Sequence, residues 1–360
     1  MREIWILGAT GRTGRSIAAL LAAEGEPLVL VGRDAGRLGA AAGTVTAVGG
    51  TARTVVAGSV EETAAALRGE TPAVVVNTIG PFAETAPPIV RACPPGTHYV
   101  DLTNELRSVA ATLDLHEAAV AAGQTLVAGA GFGVLATESV VLRLCEGRPP
   151  AERVRVDALA AVGTEPGLMG YALAAALVDG VAAGGGRYAD GRFVRDRLGG
   201  AVERFALPDG TAVSSGSAPS GELEAARRAS GAGTVTAASG AIPTGRAARA
   251  VLPLASLLLA RPALGGAAKR RLARVKLPER PAAREISWAR ARVGWADGSV
   301  REGWLRAGDG MDFTAAVAAE TAGRLARGEG RPGAFTPGAL FGACLAESAG
   351  GSFVMPSGVS

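Results

Sequence analysis

Lysine is almost absent from this chain: Lys269 and Lys276 are the only two among 360 residues. Both lie in one basic stretch, so a Schiff-base or lysine-acid mechanism elsewhere in the chain has no residue to use. Tyrosine (three) and histidine (two) are nearly as scarce. The residues four positions after Tyr99, Tyr171 and Tyr188 are Thr103, Ala175 and Arg192, which excludes the Tyr-x-x-x-Lys pair of short-chain dehydrogenases. Cys93, Cys145 and Cys344 are odd in number, far apart and without a CxxC. They argue for a reducing compartment and against a disulfide scaffold or a zinc site, so no metal is expected. No cationic-then-apolar leader opens the chain, because MREIWILGA passes straight into a strand pattern. The longest apolar run, AVLPLASLLLA at 250–260, has eleven residues, contains Pro253 and is too short to span a bilayer. It is expected to be a buried helix or the wall of a substrate pocket, with an interfacial membrane segment as the lesser alternative, and the protein to be cytoplasmic.

What is present is apolar and arginine-rich. With 48% hydrophobic and 19% charged residues there is material for real cores. A chain of this length exceeds what one core usually serves, so two domains are the default. The net charge of +4 comes from arginine. Beside abundant alanine and glycine, this reads as the coding bias of a GC-rich genome such as an actinobacterium's, and no nucleic-acid partner is inferred from it.

Residues 1–132 alternate strand and helix patterns: EIWILGA (3–9), PLVLVGR (27–33), ARTVVAG (52–58), AVVVNTIGPF (73–82), HYVDLT (98–103) and QTLVAGAGF (124–132) are six strands. Asp34 caps one intervening helix, and Ser59 with Glu62 forms a capping box for another. A long helix, broken or continuous, spans 104–122. Such βα units predict a Rossmann-type, doubly wound parallel sheet covered on both faces. From 133 to 310 the rhythm changes. Asp-Gly pairs at Asp190, Asp209 and Asp297 punctuate strands and suggest antiparallel hairpins, hence a second α+β domain with a mainly antiparallel sheet. Residues 311–360 return to helix and are expected to pack back on the first domain. The basic stretch 265–285 reads as a solvated surface connection.

ILGATGRTGRSIAALL (6–21) places Gly8, Gly11 and Gly14 between the first strand and a helix. The first glycine permits a tight turn, the second lets backbone approach a pyrophosphate, and the third lets the helix pack close. The helix N-terminus then offers free N–H groups to the phosphates. The cofactor-binding set drawn from this stretch is Gly8, Thr10, Gly11, Arg12, Thr13 and Gly14. At the end of the second strand, where NAD-preferring folds carry an acid, the sequence reads Gly32-Arg33-Asp34. Arg33 can pair bidentately with a 2′-phosphate while Asp34 caps the next helix, which favours NADP(H); the alternatives are Asp34 as the ribose ligand and Arg33 as an ordinary surface arginine.

The segment NTIGPFAETAPPIVRACPPGTHYVDLTNE (77–105), with the GATGxTG start and Gly32-Arg33, resembles the saccharopine dehydrogenase-like NADP-binding family. Later segments, REGWLRAGDGMDFTA and FTPGALFGACLAE, resemble bacterial members that include trans-acting enoyl reductases. The resemblance implies hydride transfer to or from a C=N, C=C or C=O bond in a cleft between the two domains. It also implies that Asn77, Thr78, Gly80, Pro81 and Phe82 line the nicotinamide end. Where many relatives read GFDSxPSD this chain has GFGVLATES, with Gly133 in place of an aspartate. An acid common near the adenine is replaced by AGS. A conserved-looking cofactor half beside a rebuilt substrate half suggests a specialised metabolite of secondary metabolism.

Proton donors are few. Tyr99, Asp101 and Glu105 flank the carboxyl end of the fifth strand, and Tyr171 lies in the divergent segment of the second domain. These four are the catalytic candidates, although Asp101 or Glu105 could equally cap a helix and Tyr171 could be core. His98 reads as a buried or capping residue, and His116 as mid-helix. The expected partner is a small-molecule substrate, and a homodimer is compatible with the sequence. An NADP-dependent reductase is the leading reading. A redox-silent NADP-binding sensor and a non-redox cyclase that retains the cofactor structurally are the alternatives.

Overall fold

Ile4–Leu7 form β1, buried at every position as befits a strand covered on both faces. The computed structural model describes residues 2–355. After β1 come α1 (Arg12–Ala23), β2 (Leu28–Gly32), α2 (Ala35–Ala47), β3 (Ala52–Val56) and α3 (Val60–Arg68). Next are β4 (Val74–Asn77), α4 (Phe82–Ala92), β5 (His98–Asp101), α5 (Leu106–Leu113), α6 (His116–Ala121) and β6 (Thr125–Val127). The 104–122 segment is thus two helices.

Local chemistry explains the helix starts. Asp34 accepts the N–H of Arg37 at 2.8 Å, capping α2. Ser59 accepts the N–H of Glu62 at 3.1 Å, and the Glu62 carboxylate reaches back to the N–H of Gly58 at 2.6 Å. That second bond falls one residue before the one a standard capping box uses.

A π-helical turn at Phe132–Ala136 and α7 (Thr137–Cys145) then lead into β7 (Arg153–Leu159), β8 (Gly167–Leu168), α8 (Gly170–Ala182), β9 (Gly185–Ala189) and β10 (Arg192–Asp196). The chain continues through β11 (Glu203–Ala206), β12 (Ala212–Ser217), α9 (Gly221–Ser230), β13 (Thr234–Ser239), α10 (Arg246–Leu259) and α11 (Pro262–Ala273). After β14 (Lys276–Leu277) come β15 (Ser287–Gly294), β16 (Val300–Ala307), α12 (Gly310–Ala326), β17 (Gly333–Phe335), α13 (Pro337–Phe341), α14 (Cys344–Ser348) and β18 (Ser352–Val354).

Two units result. One holds the described residues up to Thr103, with Arg107–Gly131 and Met311–Ala349; the other holds Asn104–Leu106, Phe132–Gly310 and the described residues from Gly350. The first unit has an all-parallel seven-stranded sheet in the order β17-β6-β5-β4-β1-β2-β3. Its seventh strand, β17, escaped the sequence reading because three residues carry no periodicity. It pairs with β6 through Gly333–Thr125, Ala334–Leu126 and Phe335–Val127. The core on one face gathers Trp5, Leu7, Val29, Val31, Val75 and Tyr99.

The second unit's sheet runs β10-β9-β13-β7-β15-β16-β18, with β12 joining β13 and β11. It is antiparallel except where β13 and β7 run parallel. The Asp-Gly pairs at Asp190, Asp209 and Asp297 lie between antiparallel partners: β9 with β10, β11 with β12, and β15 with β16. At the first of them Asp190 and Gly191 both have positive φ (49° and 75°), the geometry of a two-residue hairpin turn.

Two expectations are corrected. The 250–260 run is not buried: it lies in α10, which has no buried residue. The basic stretch is not a loop at its start, since α11 occupies it to Ala273. Charge density favoured a connection, but Pro262 at the first helical position and an alanine-rich body form a good helix. Among the described residues no single helix is long and apolar enough to cross a membrane.

Candidate cofactor-binding site

In the first unit β1 pairs in parallel with β2 on one side and β4 on the other, so Leu7 lies opposite both Val31 and Asn77. The strand order therefore reverses between β1 and β4, the point at which open α/β sheets hold their ligands beyond the carboxyl ends. The glycine turn sits there. Gly8 has φ +77°, and a Cβ on it would meet the Thr78 hydroxyl at 2.6 Å. A Cβ on Gly14 would come to 2.5 Å from the Gly8 carbonyl oxygen and 2.9 Å from the Ala9 Cα. Gly14 thus allows α1 to lie against the turn that Gly8 makes. Gly11 is the N-cap of α1, closing the turn with its N–H on the Gly8 carbonyl at 2.9 Å. No side chain caps this helix and no acid lies in its first turn. Its positive end, beginning with the half-buried Arg12 and Thr13, is left for an anion.

Beside this turn a surface cavity of about 330 Å³ is lined by Thr10, Arg33, Asp34 and Arg37. Gly32 keeps the corner narrow: a Cβ there would press on Leu38 at 3.3 Å and Thr10 at 3.5 Å. The Asp34 carboxylate is engaged by the helix it caps. Arg33 is exposed and, among the described residues, has no hydrogen-bond or ion-pair partner. Arg37, which the sequence reading did not single out, donates to the Thr10 carbonyl at 3.0 Å, as Arg15 does. The signal for it was the i, i+4 spacing of Arg33 and Arg37 around the cap. A phosphomonoester in this cavity would meet one unpaired guanidinium and a second already positioned, with no competing free carboxylate.

A family model described as "Saccharopine dehydrogenase NADP binding domain" matches residues 4–127. Residues 4–127 are thus similar to that NADP-binding domain. The cofactor of this chain is NADP(H). The saccharopine dehydrogenase (L-Glu forming) of Saccharomyces cerevisiae shares the fold. It is 13% identical, with a TM-score of 0.63 over 98% of this chain and 100% of its own. A short-chain dehydrogenase from Sphingobium yanoikuyae, in complex with NADPH, overlaps only 36% of this chain and 71% of its own, at 16% identity and a TM-score of 0.31. No curated protein matches the sequence significantly.

The other end of the NADP-binding domain's crevice is set by the β4–α4 turn. Thr78 donates to the Leu7 carbonyl at 2.7 Å, tying this turn to the end of β1. Asn77 is buried and accepts the N–H of Ile79 at 3.0 Å. The Gly80–Pro81 bond is cis, Pro81 is the N-cap of α4 and the half-buried Phe82 begins that helix.

Of the four catalytic candidates, Tyr99 and Asp101 lie in the first unit and Glu105 and Tyr171 in the second. Tyr99 and Asp101, neighbours on one face of β5, are both fully buried. The Tyr99 hydroxyl donates to Asp101 at 3.1 Å and accepts from the Asn77 amide at 3.1 Å. Asp101 caps no helix; its other oxygen accepts the N–H groups of Thr103 and Gly129 at 3.0 and 3.1 Å, joining the ends of β5 and β6. Burial, and then the adjacent Asp101 charge, hold the Tyr99 phenol well above its ordinary range. The pair therefore braces the turns. Tyr99→Phe should cost about 2 kcal/mol of stability, because a buried carboxylate loses a hydrogen bond; chemical denaturation at neutral pH measures it, and an unchanged midpoint would contradict the bracing role.

Glu105 and Tyr171 belong to the second unit. Glu105 bridges to Ser220, and Tyr171 is about half exposed on α8 rather than core. Of the histidines, His98 accepts the N–H of Thr125 at 3.0 Å, and burial, then the nearby Arg2, lower its pKa. His116 begins α6 rather than lying within a longer helix, and its ring reaches the backbone of Ala334.

Sequence reasoning also missed Glu222, at the start of α9 in the second unit. It is almost completely buried, and one carboxylate oxygen has no hydrogen-bond partner. Burial raises its pKa against the lowering effect of hydrogen bonds from Ser220, its own N–H and Asn104. A Cβ on Gly133 would collide with this carboxyl, so the glycine that departs from the family pattern makes the room Glu222 occupies.

Proposed function

We propose that this protein is an NADPH-dependent reductase that transfers hydride to a C=N or C=C bond of a small, specialised metabolite. The observation that carries the cofactor half of this reading is the unpaired Arg33 beside the uncapped N-terminus of α1. The bound nicotinamide would supply the hydride. The chain's own residues bind and orient it: Gly8, Gly11 and Gly14 admit the pyrophosphate, Arg33 and Arg37 take the 2′-phosphate, and Asn77 to Phe82 shape the far end. The substrate half rests on the resemblance and on what is missing. No Tyr-x-x-x-Lys pair is available to protonate an alkoxide, which disfavours ordinary ketones against imines and activated alkenes.

Following NADPH absorbance with panels of cyclic imines and of enones tests this. Turnover with either class, and slower or no turnover with NADH, is the expected result. Tight NADPH binding without oxidation by any member of both panels would overturn it and leave cofactor sensing as the function.

A further inference from the structure

Among the described residues, ten of the nineteen large apolar side chains that are exposed fall in two short stretches of the second unit, 168–177 and 251–275. The elements concerned are β8, α8, α10, α11 and Val275 just before β14, and α8 packs against both other helices. Lys269 of α11 is held to Asp179 of α8 at 2.8 Å, and Gly265 lets the start of α11 close on the Leu259 carbonyl. The helices are thus fixed to one another while their outer residues remain in water.

α10 is the extreme case. Its half-buried side, Leu252, Ala255, Ser256 and Leu259, follows helical spacing toward its neighbours. Its opposite side is also apolar: Val251, Leu254 and Leu257 are 61%, 59% and 62% exposed. From Val251 onward α10 is thus apolar on both sides, which suits a core or contact with lipid, yet the helix has no buried residue.

Charge identifies the occupant. Between Glu224 and Glu279 the chain has no acidic residue. Arg246, Arg249, Arg261, Arg270, Arg271, Arg274 and Lys276 are all exposed there and, among the described residues, none has an ion-pair partner. A second copy docked symmetrically would set these cations against one another with only Asp179 of α8, already paired with Lys269, to offset them. An anionic bilayer surface offers both an apolar layer and complementary headgroups. The two helices reach spanning length and apolarity only together, and they are bent by 108°. That geometry suits lying in the interface and not crossing it.

We propose that α8, α10 and α11 form a docking surface for anionic membranes, with Val251, Leu254 and Leu257 entering the acyl boundary and the flanking arginines meeting the headgroups. Sedimentation of the full chain with vesicles tests it. Binding to phosphatidylcholine vesicles that contain phosphatidylglycerol should exceed binding to phosphatidylcholine alone by about tenfold or more, and should weaken in high salt. Leu254→Glu/Leu257→Glu and, separately, Arg270→Glu/Arg271→Glu should each reduce it by about tenfold or more while NADPH affinity is unchanged. Three results would overturn the proposal: no binding to anionic vesicles, binding indifferent to the leucine pair, or a solution dimer that the leucine pair dissociates.

Discussion

Gly14→Ala should weaken NADPH binding by at least about 100-fold, the equivalent of two lost charge-assisted hydrogen bonds. The added methyl would meet two backbone atoms, the Gly8 carbonyl oxygen at 2.5 Å and the Ala9 Cα at 2.9 Å. Backbone cannot rotate aside as a side chain can, so α1 has to move away from the turn. Its N–H groups then no longer converge with those of the loop on one pyrophosphate. Overpacking of this kind also costs about 1–3 kcal/mol of stability. Gly39→Ala is the control. It lies inside α2, has ordinary helical backbone and would meet nothing within 4 Å. It should raise stability by up to about 1 kcal/mol and leave NADPH binding alone. Fluorescence titration and thermal unfolding measure both, and a Gly14→Ala protein that binds NADPH normally would refute the packing argument.

Arg33→Ala should weaken NADPH about 30-fold, roughly 2 kcal/mol, while changing NADH affinity little. Its guanidinium is unpaired in the cavity, so removing it leaves no other group stranded and the loss reports the 2′-phosphate contact itself. Arg33→Ala/Arg37→Ala should bring the two cofactors to similar affinity. Equal weakening of NADPH and NADH by the single substitution would show that Arg33 serves the shared part of the nucleotide and not the 2′-phosphate.

The cofactor site was largely legible because its parts are local. Gly8 and Gly14 sit within one turn and one helix start, Asp34 caps the helix it precedes, and Arg33 follows its strand directly. Each depends on a few consecutive residues whose backbone needs show in their identities. Arg37 was missed although it is equally local, because its four-residue spacing from Arg33 gains meaning only once the Thr10 carbonyl is beside it. The substrate side was far less legible. Tyr99 and Asp101 look like a catalytic pair in a list of residues, yet they meet each other and Asn77 in a buried brace, a pairing set by sheet register.

The sequence by itself determined the βαβ rhythm, the hairpin turns at the Asp-Gly pairs, the NADP-type corner and the helix caps. All of these follow from short-range sterics and hydrogen bonding. Only the tertiary structure decided which apolar surfaces find a partner. β17 joins the first sheet across some two hundred residues of intervening chain, Glu222 takes the space that Gly133 leaves, and α10 keeps Val251, Leu254 and Leu257 in water although its composition reads as core. Burial is a property of what packs against a segment, and distant parts of the chain supply it.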